Sequence, residues 1–284
     1  MQALDRPTLD WLTDQILDAL AGGERVGAVA LQLLLRRVST NDRDDLAEPL
    51  GAAMAIELEG SGGHAGAADR EDWLVLFSEA SAISDDPRLA DAAADLLPDV
   101  RCGWSSPAVD VAMRSIDASL LSVHVARDRS LAASAIDALE RVIAAAYRPG
   151  GGVSHDVGAT AFARGGIGDH VRSASALLTG YMLAGRLPYA MLADELMQSM
   201  LRTSWPHGEN LTPFGLECDA ARVLSRLAAL HRDEEYQRTA VLPVAADYAE
   251  LAGERLAALE PEARQLGVAA APFGLALAEW LDLQ

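Results

Sequence analysis

The chain has 284 residues, half of them hydrophobic, and carries 23 basic against 42 acidic residues, a formal charge of 23 − 42 = −19. That composition is globular rather than disordered, and so acidic a surface repels nucleic acid and anionic membranes, neither of which is expected as a partner. Every basic residue is an arginine, which excludes a Schiff-base lysine, a Walker lysine and a lysine general base.

The amino-terminal MQALDRPTLDWLTDQIL has no basic segment followed by an apolar one, so no signal peptide is expected. Its pattern predicts a first helix over about 7–21. Paired helices follow at about 26–38 with 42–58, 71–83 with 86–97, 109–125 with 128–146, 169–184 with 188–203, and 216–231 with 234–250. A last helix is expected over about 271–283. The apolar runs VGAVALQLLL and QLGVAAAPFGLALA fall short of the roughly 18 residues a membrane span needs. Cys102 and Cys218 form no CxxC, which fits a soluble, cytoplasmic protein.

The pairs share one design. In SAISDDPRLADAA, SVHVARDRSLAAS, YMLAGRLPYAMLA and AALHRDEEYQRTA, an apolar run meets a short polar turn and a second helix opens on Leu89, Leu131, Tyr189 or Tyr236. RRVSTNDRDDLAEPL is a weaker copy with Leu46 in the same place, and the marker spacings are 43, 42, 58 and 47 residues. A supersecondary unit at that period indicates an array of helical hairpins. The first and last helices lack sequential partners; if they pair, they make a sixth hairpin and close a ring. The expected fold is therefore all-α, an (α/α)6 toroid of twelve helices spanning residues 1–284 as one domain. An open α-solenoid is the alternative, and it leaves both end helices with uncovered apolar faces.

In such a ring the turns within hairpins are short, and the connections between hairpins, about 59–70, 98–108, 147–168, 204–215 and 251–270, emerge on one face. The aspartates of NDRDD fall at a short-turn position, aligned with SDDPR, ARDRS and HRDEE, and are read as caps of second helices rather than as a magnesium motif.

Two runs, GDHVRSASALLTGYMLAGRLPYAMLADELM and LECDAARVLSRLAALHRDEEYQRTAVL, resemble the helical region of the thioredoxin-domain-containing, six-hairpin glycosidase-like proteins of the YyaL type. The resemblance covers about residues 109–250. It implies an (α/α)6 toroid related by fold to glycoside hydrolases and sugar epimerases. The chain lacks that family's thioredoxin-like domain and its CxxC, so no redox role carries over.

The longest connection, PGGGVSHDVGATAFARGGIGDH, is glycine-rich, but no GK[ST] follows GGGVSHDV and no strand is expected before GGIGDH, so neither a phosphate loop nor a dinucleotide fingerprint is present. No cofactor is expected. No HxH or HxxxH spacing supports a metal site built from His155, Asp156, Asp169, His170 or His207.

Acids open several first helices of the hairpins: Asp72, Asp110, Asp169, and Glu217 with Asp219. The helix dipole alone favours acids there, and Asp169 sits where an N-cap belongs. In a toroid the same residues ring a funnel mouth, where two carboxylates flanking a sugar act as acid and base or acid and nucleophile. On that reading Asp169, Glu217 and His170 are the catalytic candidates. His155, Asp156, His207, Asp110 and Asp72 are ligand-binding candidates, with Trp104 and Trp205 as stacking platforms or, alternatively, loop anchors. Two functions stay open: a toroid that binds a carbohydrate-like small molecule, with glycosidase- or epimerase-type chemistry, and a non-catalytic toroid that binds a protein partner.

Overall fold

The computed structural model describes residues 4–60, 64, 69–125, 130–159, 161–203, 212–240 and 247–284. Thirteen α-helices lie among them. In chain order they are α1 (Arg6–Ala21), α2 (Ala28–Ser39), α3 (Ala47–Glu59), α4 (Arg70–Ile83), α5 (Pro87–Cys102), α6 (Val109–Leu121) and α7 (Leu131–Ala146). After a two-stranded hairpin, β1 (Tyr147–Arg148) and β2 (Gly152–Val153), come α8 (Ile167–Ala184), α9 (Leu187–Thr203), α10 (Phe214–Leu230), α11 (Glu234–Thr239), α12 (Tyr248–Leu266) and α13 (Ala271–Leu281).

Local chemistry sets the helix ends. The Asp5 carboxylate accepts the Thr8 N–H at 3.2 Å, and Pro7 fits the first turn of α1, where an amide hydrogen is not needed. Asp86 caps α5 ahead of Pro87, and Asp233 caps α11. Asp247 accepts the N–H groups of Ala249 and Glu250 at 3.0 Å each, which starts α12. Helix α8 stops at Gly185, whose φ of +64° lets its N–H turn back to the Tyr181 carbonyl at 2.8 Å. The capping role expected of NDRDD is not found: Asp42 pairs with Arg6 and Arg37, and Asp45 with Arg43.

Packing follows the amphipathic stripes. Helices α2, α4, α6, α8, α10 and α13 each lie against the next, and α13 returns to α2, so six inner helices close a ring. Helices α1, α3, α5, α7, α9 and α12 pack outside them. The terminal helices do pair, as the unpartnered sequence segments predict, and the fold is an all-α (α/α)6 toroid. Gly274 permits the closure. A Cβ there would stand 2.4 Å from Leu33 Cδ2 and 2.8 Å from Leu12 Cδ2, so α13 reaches α1 and α2 only because it carries no side chain at that point. Leu12, Leu33 and Phe273 are fully buried at this junction, each worth about 1.5–3 kcal/mol of transfer free energy.

One hairpin differs from the sequence expectation. The predicted second helix over about 234–250 is only the short α11, and the outer partner of α10 is α12, in the segment read as a long loop. Ala240 ends α11 in extended backbone, and Asp247 restarts the chain as a helix. The Leu266-to-Ala271 link between α12 and α13 is a single 3-10 turn, so the connection expected on the loop face there is absent. Among the described residues no helix is long and apolar enough to cross a membrane.

Candidate functional site: a charged lumen and its rim

One outer helix returns the chain between successive inner helices, so the inner helices run parallel and their N-termini share one face. Their outward faces are apolar, but the stripe each turns toward the ring axis is not. On α10 the stripe holds Asp219, Arg222 and Arg226; on α8, Arg172, Ser175 and Thr179; on α6, Arg114 and Asp117, at the i, i+3/i+4 spacing of one helix face. Helix α4 adds Asp72 and Glu79, α2 adds Gln32 and Arg36, and α13 adds Glu279.

These groups staple every neighbouring pair of inner helices. The Gln32 amide donates to the Asp72 carbonyl at 2.7 Å, and Arg114 meets Asp72 at 2.8 Å. The Ser175 hydroxyl donates to Asp117 at 2.6 Å, and Arg172 pairs with Asp219 at 2.7 Å. Arg222 binds Glu279 at 2.8 Å, and Arg36 approaches Glu279 at 4.0 Å, closing the circle.

Water reaches this lining. The side chains of Asp72 and Arg114 each keep 31% of their surface open, and Arg222 keeps 38%, although they sit on the inner faces of the ring. Glu79 is exposed, yet burial pushes its carboxyl above the ordinary range against the opposing pull of Arg222 and Arg36. Burial likewise raises Asp219, and the Asp72 charge opposite it adds to the effect, while Arg172 and Arg222 oppose it.

The rim is built by the long connection between α7 and α8. Its backbone is anchored on the start of α6: Val109 N–H donates to the His155 carbonyl and Val157 N–H to the Pro107 carbonyl, both at 2.8 Å, and Ala108 bridges Asp156. This brings His155 to Asp169. The imidazole Nδ1 lies 3.1 Å from Oδ1 and 3.2 Å from Oδ2 of a nearly buried carboxylate, while the ring itself is 58% exposed. Asp169 also accepts Gly166 N–H at 2.8 Å and Asp110 N–H at 3.2 Å; Gly166, not Asp169, is the N-cap of α8, and the Asp169 side chain at the third helical position reaches back to its N–H. Burial raises the Asp169 pKa, partly offset by Gly166 N–H and His155; the hydrogen bond that the imidazole donates to Asp169 raises the pKa of His155. Ligand atoms of Asp110, His155 and Asp169 lie within 4.8 Å of one another.

The other sequence candidates are placed differently. His170 is fully buried under the β-hairpin, not open to the funnel. Its Nδ1 lies 2.8 Å from the Gly166 carbonyl, which makes Nδ1 the donor, and Nε2 has no hydrogen-bond partner among the described residues. A Cβ on Gly152, at φ +82°, would stand 2.3 Å from that Nε2. Burial lowers the His170 pKa. Trp104 is not a platform: it is 8% exposed and its indole N–H points to the Ser115 carbonyl and the Ser119 hydroxyl. Glu217 lies two residues from Asp219, on the opposite side of α10 from the lumen stripe, where its charge acts on Arg255 of α12. Asp156 is exposed on the rim. Trp205 and His207 lie outside the described residues. The lumen arginines were missed because each looks like an ordinary surface residue alone; the signal was the recurrence of acid and arginine at helical spacing, as in Asp219, Arg222 and Arg226.

No family model and no curated protein matches the chain. Among solved structures it is similar to the GH76A alpha-1,6-mannanase from Salegentibacter sp. HEL1_6, with a TM-score of 0.60 and 13% sequence identity, over 98% of this chain and 99% of that one. The two chains share the fold, an all-α toroid, over nearly their whole lengths.

Proposed function

We propose that the chain binds a carbohydrate-like, hydroxyl-rich small molecule in the lumen, and that Asp219 and Asp72 are the carboxylate pair for glycosidase-type acid–base chemistry there. The observation that carries this reading is the wet, charged lumen, with these two acids on opposed helices at its mouth. A carboxyl raised by burial, as Asp219 is, suits a general acid. Asp72, held by Arg114, suits the base or nucleophile on the other side of the sugar. Carboxylate and guanidinium groups grip vicinal hydroxyls through paired hydrogen bonds, which accords with an aromatic content of only 5%. The exposed His155, oriented by Asp169, and the neighbouring Asp110 and Asp156 serve as rim groups for entry and proton exchange. The fold shared with a mannanase supports the ligand class. Kinship with the YyaL type, resting on the α8–α9 and α10 motifs, and a cytoplasmic setting, resting on two free cysteines, belong to the same reading.

A second reading, a non-catalytic toroid with a protein partner, is favoured by one observation: Asp169 is taken up by Gly166 N–H, Asp110 N–H and His155, and the lumen acids double as interhelical ties. Calorimetric titration with a panel of mono- and disaccharides, followed by assay of glycoside cleavage, separates the two. The first reading expects at least one ligand, and a loss of about 10²–10⁴-fold in turnover for Asp219→Asn with the fold intact. No sugar binding, with Asp219→Asn changing only thermal stability, leaves the second.

A further inference from the structure

Four of the five lumen arginines have a carboxylate within 4.0 Å: Arg36, Arg114, Arg172 and Arg222. Arg226 differs. Among the described residues its guanidinium meets neutral acceptors only, the Ser175 hydroxyl at 3.2 Å, the Ser175 carbonyl at 3.4 Å, the Thr179 hydroxyl at 3.1 Å and Met182 Sδ at 3.7 Å. Charge-assisted hydrogen bonds normally run to about 2.7–2.9 Å, so these are long and weak for a cation. Asp117 on α6 is held through Oδ2 by the Ser175 hydroxyl at 2.6 Å, its Oδ1 is buried without a hydrogen-bond partner among the described residues, and Glu279 is engaged by Arg222. Arg226 nevertheless keeps solvent access, at the end of the lumen away from the rim, beside the exposed Met182. A cation in a low-dielectric setting without an ion pair carries an uncompensated desolvation cost, which an anionic ligand group relieves. Burial lowers the Arg226 pKa against the opposing charges of Asp117 and Glu279, the same deficit seen from the side of the proton.

We propose that the far end of the lumen, around Arg226, is a subsite for a carboxylate, so that the ligand is an acidic sugar rather than a neutral one. This rests on the carbohydrate reading of the lumen. Arg226 reaches the acid group while the Asp72–Asp219 mouth faces the hydroxyls. The charge pattern fits: acids outnumber arginines by 42 to 23 over the chain, yet the lumen matches Arg36, Arg114, Arg172, Arg222 and Arg226 against Asp72, Glu79, Asp117, Asp219 and Glu279. An anion excluded from the acidic outer surface is therefore accepted inside.

The experiment is calorimetric titration of the intact chain with D-glucuronate, D-glucose and inorganic phosphate, on wild type, Arg226→Gln and Arg226→Lys, with the melting curve of each variant recorded. The expected result is glucuronate bound at least about tenfold more tightly than glucose, one charge-assisted hydrogen bond's worth. Arg226→Gln should abolish that preference and Arg226→Lys should retain part of it. Equal affinity for the two sugars in wild type overturns the proposal without any variant. So does a preference that survives Arg226→Gln. Phosphate binding that is lost in Arg226→Gln, with neither sugar bound, supports the anion subsite and removes the carbohydrate reading. No binding of any of the three overturns both.

Discussion

Asp72 and Asp219 stand on α4 and α10, which are three steps apart in the six-membered inner ring and therefore face each other across it. Each is gripped by an arginine from an adjacent inner helix, Asp72 by Arg114 at 2.8 Å and Asp219 by Arg172 at 2.7 Å. The geometry serves two ends. The ion pairs tie neighbouring helices together, and they hold two carboxylates in fixed positions around a water-accessible axis. Partly exposed pairs of this kind contribute little to stability on their own, so their repetition around the lumen is better explained by what the lumen holds.

Glu79→Gln should stabilise the protein at neutral pH. Burial raises the Glu79 pKa above its ordinary 4.5, so the folded state favours the protonated form and ionisation costs stability as pH rises through the raised value. Below the ordinary value both states carry the proton and the substitution is neutral. Melting temperatures of the two proteins should coincide near pH 4 and separate, with the variant higher, toward pH 7. A constant offset at all pH values contradicts the assignment.

Asp169→Ala should lower the His155 pKa toward its ordinary 6.5, because the Asp169 hydrogen bond is the main cause of its upward shift. The wild-type contact contributes stability below that ordinary value and loses it as pH rises through the raised one. The variant should also lose about 0.5–2 kcal/mol from the α8 start, since Gly166 N–H loses its acceptor. Titration of the His155 ring by NMR checks the first effect and denaturant unfolding the second. An unchanged His155 titration means the two side chains are not coupled.

Gly152→Ala should destabilise the rim. The backbone there has φ +82°, which costs a side-chain-bearing residue about 1–2 kcal/mol, and the new methyl meets His170 Nε2. Adding His170→Ala should restore part of the loss by removing the clash but not the strain. A double-mutant cycle reads the coupling; strictly additive effects contradict the contact.

Leu12→Ala tests ring closure. Leu12 is fully buried and packs at Gly274, where α1 meets α13. The truncation should cost about 2–5 kcal/mol in denaturant unfolding. A loss below about 1 kcal/mol, typical of a surface substitution, would show that the terminal helices do not hold the ring shut.

The hairpins were legible because apolar spacing and short turns are local signals. Ring closure was legible because two amphipathic end helices had nowhere else to bury their apolar faces. The α12 segment was not: ALEPEARQL carries a proline and many charges, and it reads as loop until its outer-helix role is known. Asp169 was legible as an acid at the start of α8, but it stands at the third helical position behind the N-cap Gly166 rather than at the cap itself, and nothing local tells that His155, fourteen residues earlier, returns to it. His170 differs from Asp169 by a single position, yet it points into the protein beneath Gly152. Glu217 and Asp219 likewise differ by helical phase, which an acid count cannot resolve and a ring can.

The most direct test of the lumen as the working site is a crystal structure of the protein with the tightest sugar from the binding panel. Electron density for the ligand is expected inside the ring, with hydroxyls within hydrogen-bonding distance of Asp72 and Asp219 and the Arg114 and Arg172 pairs opened or shared. A ligand seated on the outer surface, or a lumen holding only ordered water around unaltered ion pairs, would contradict it.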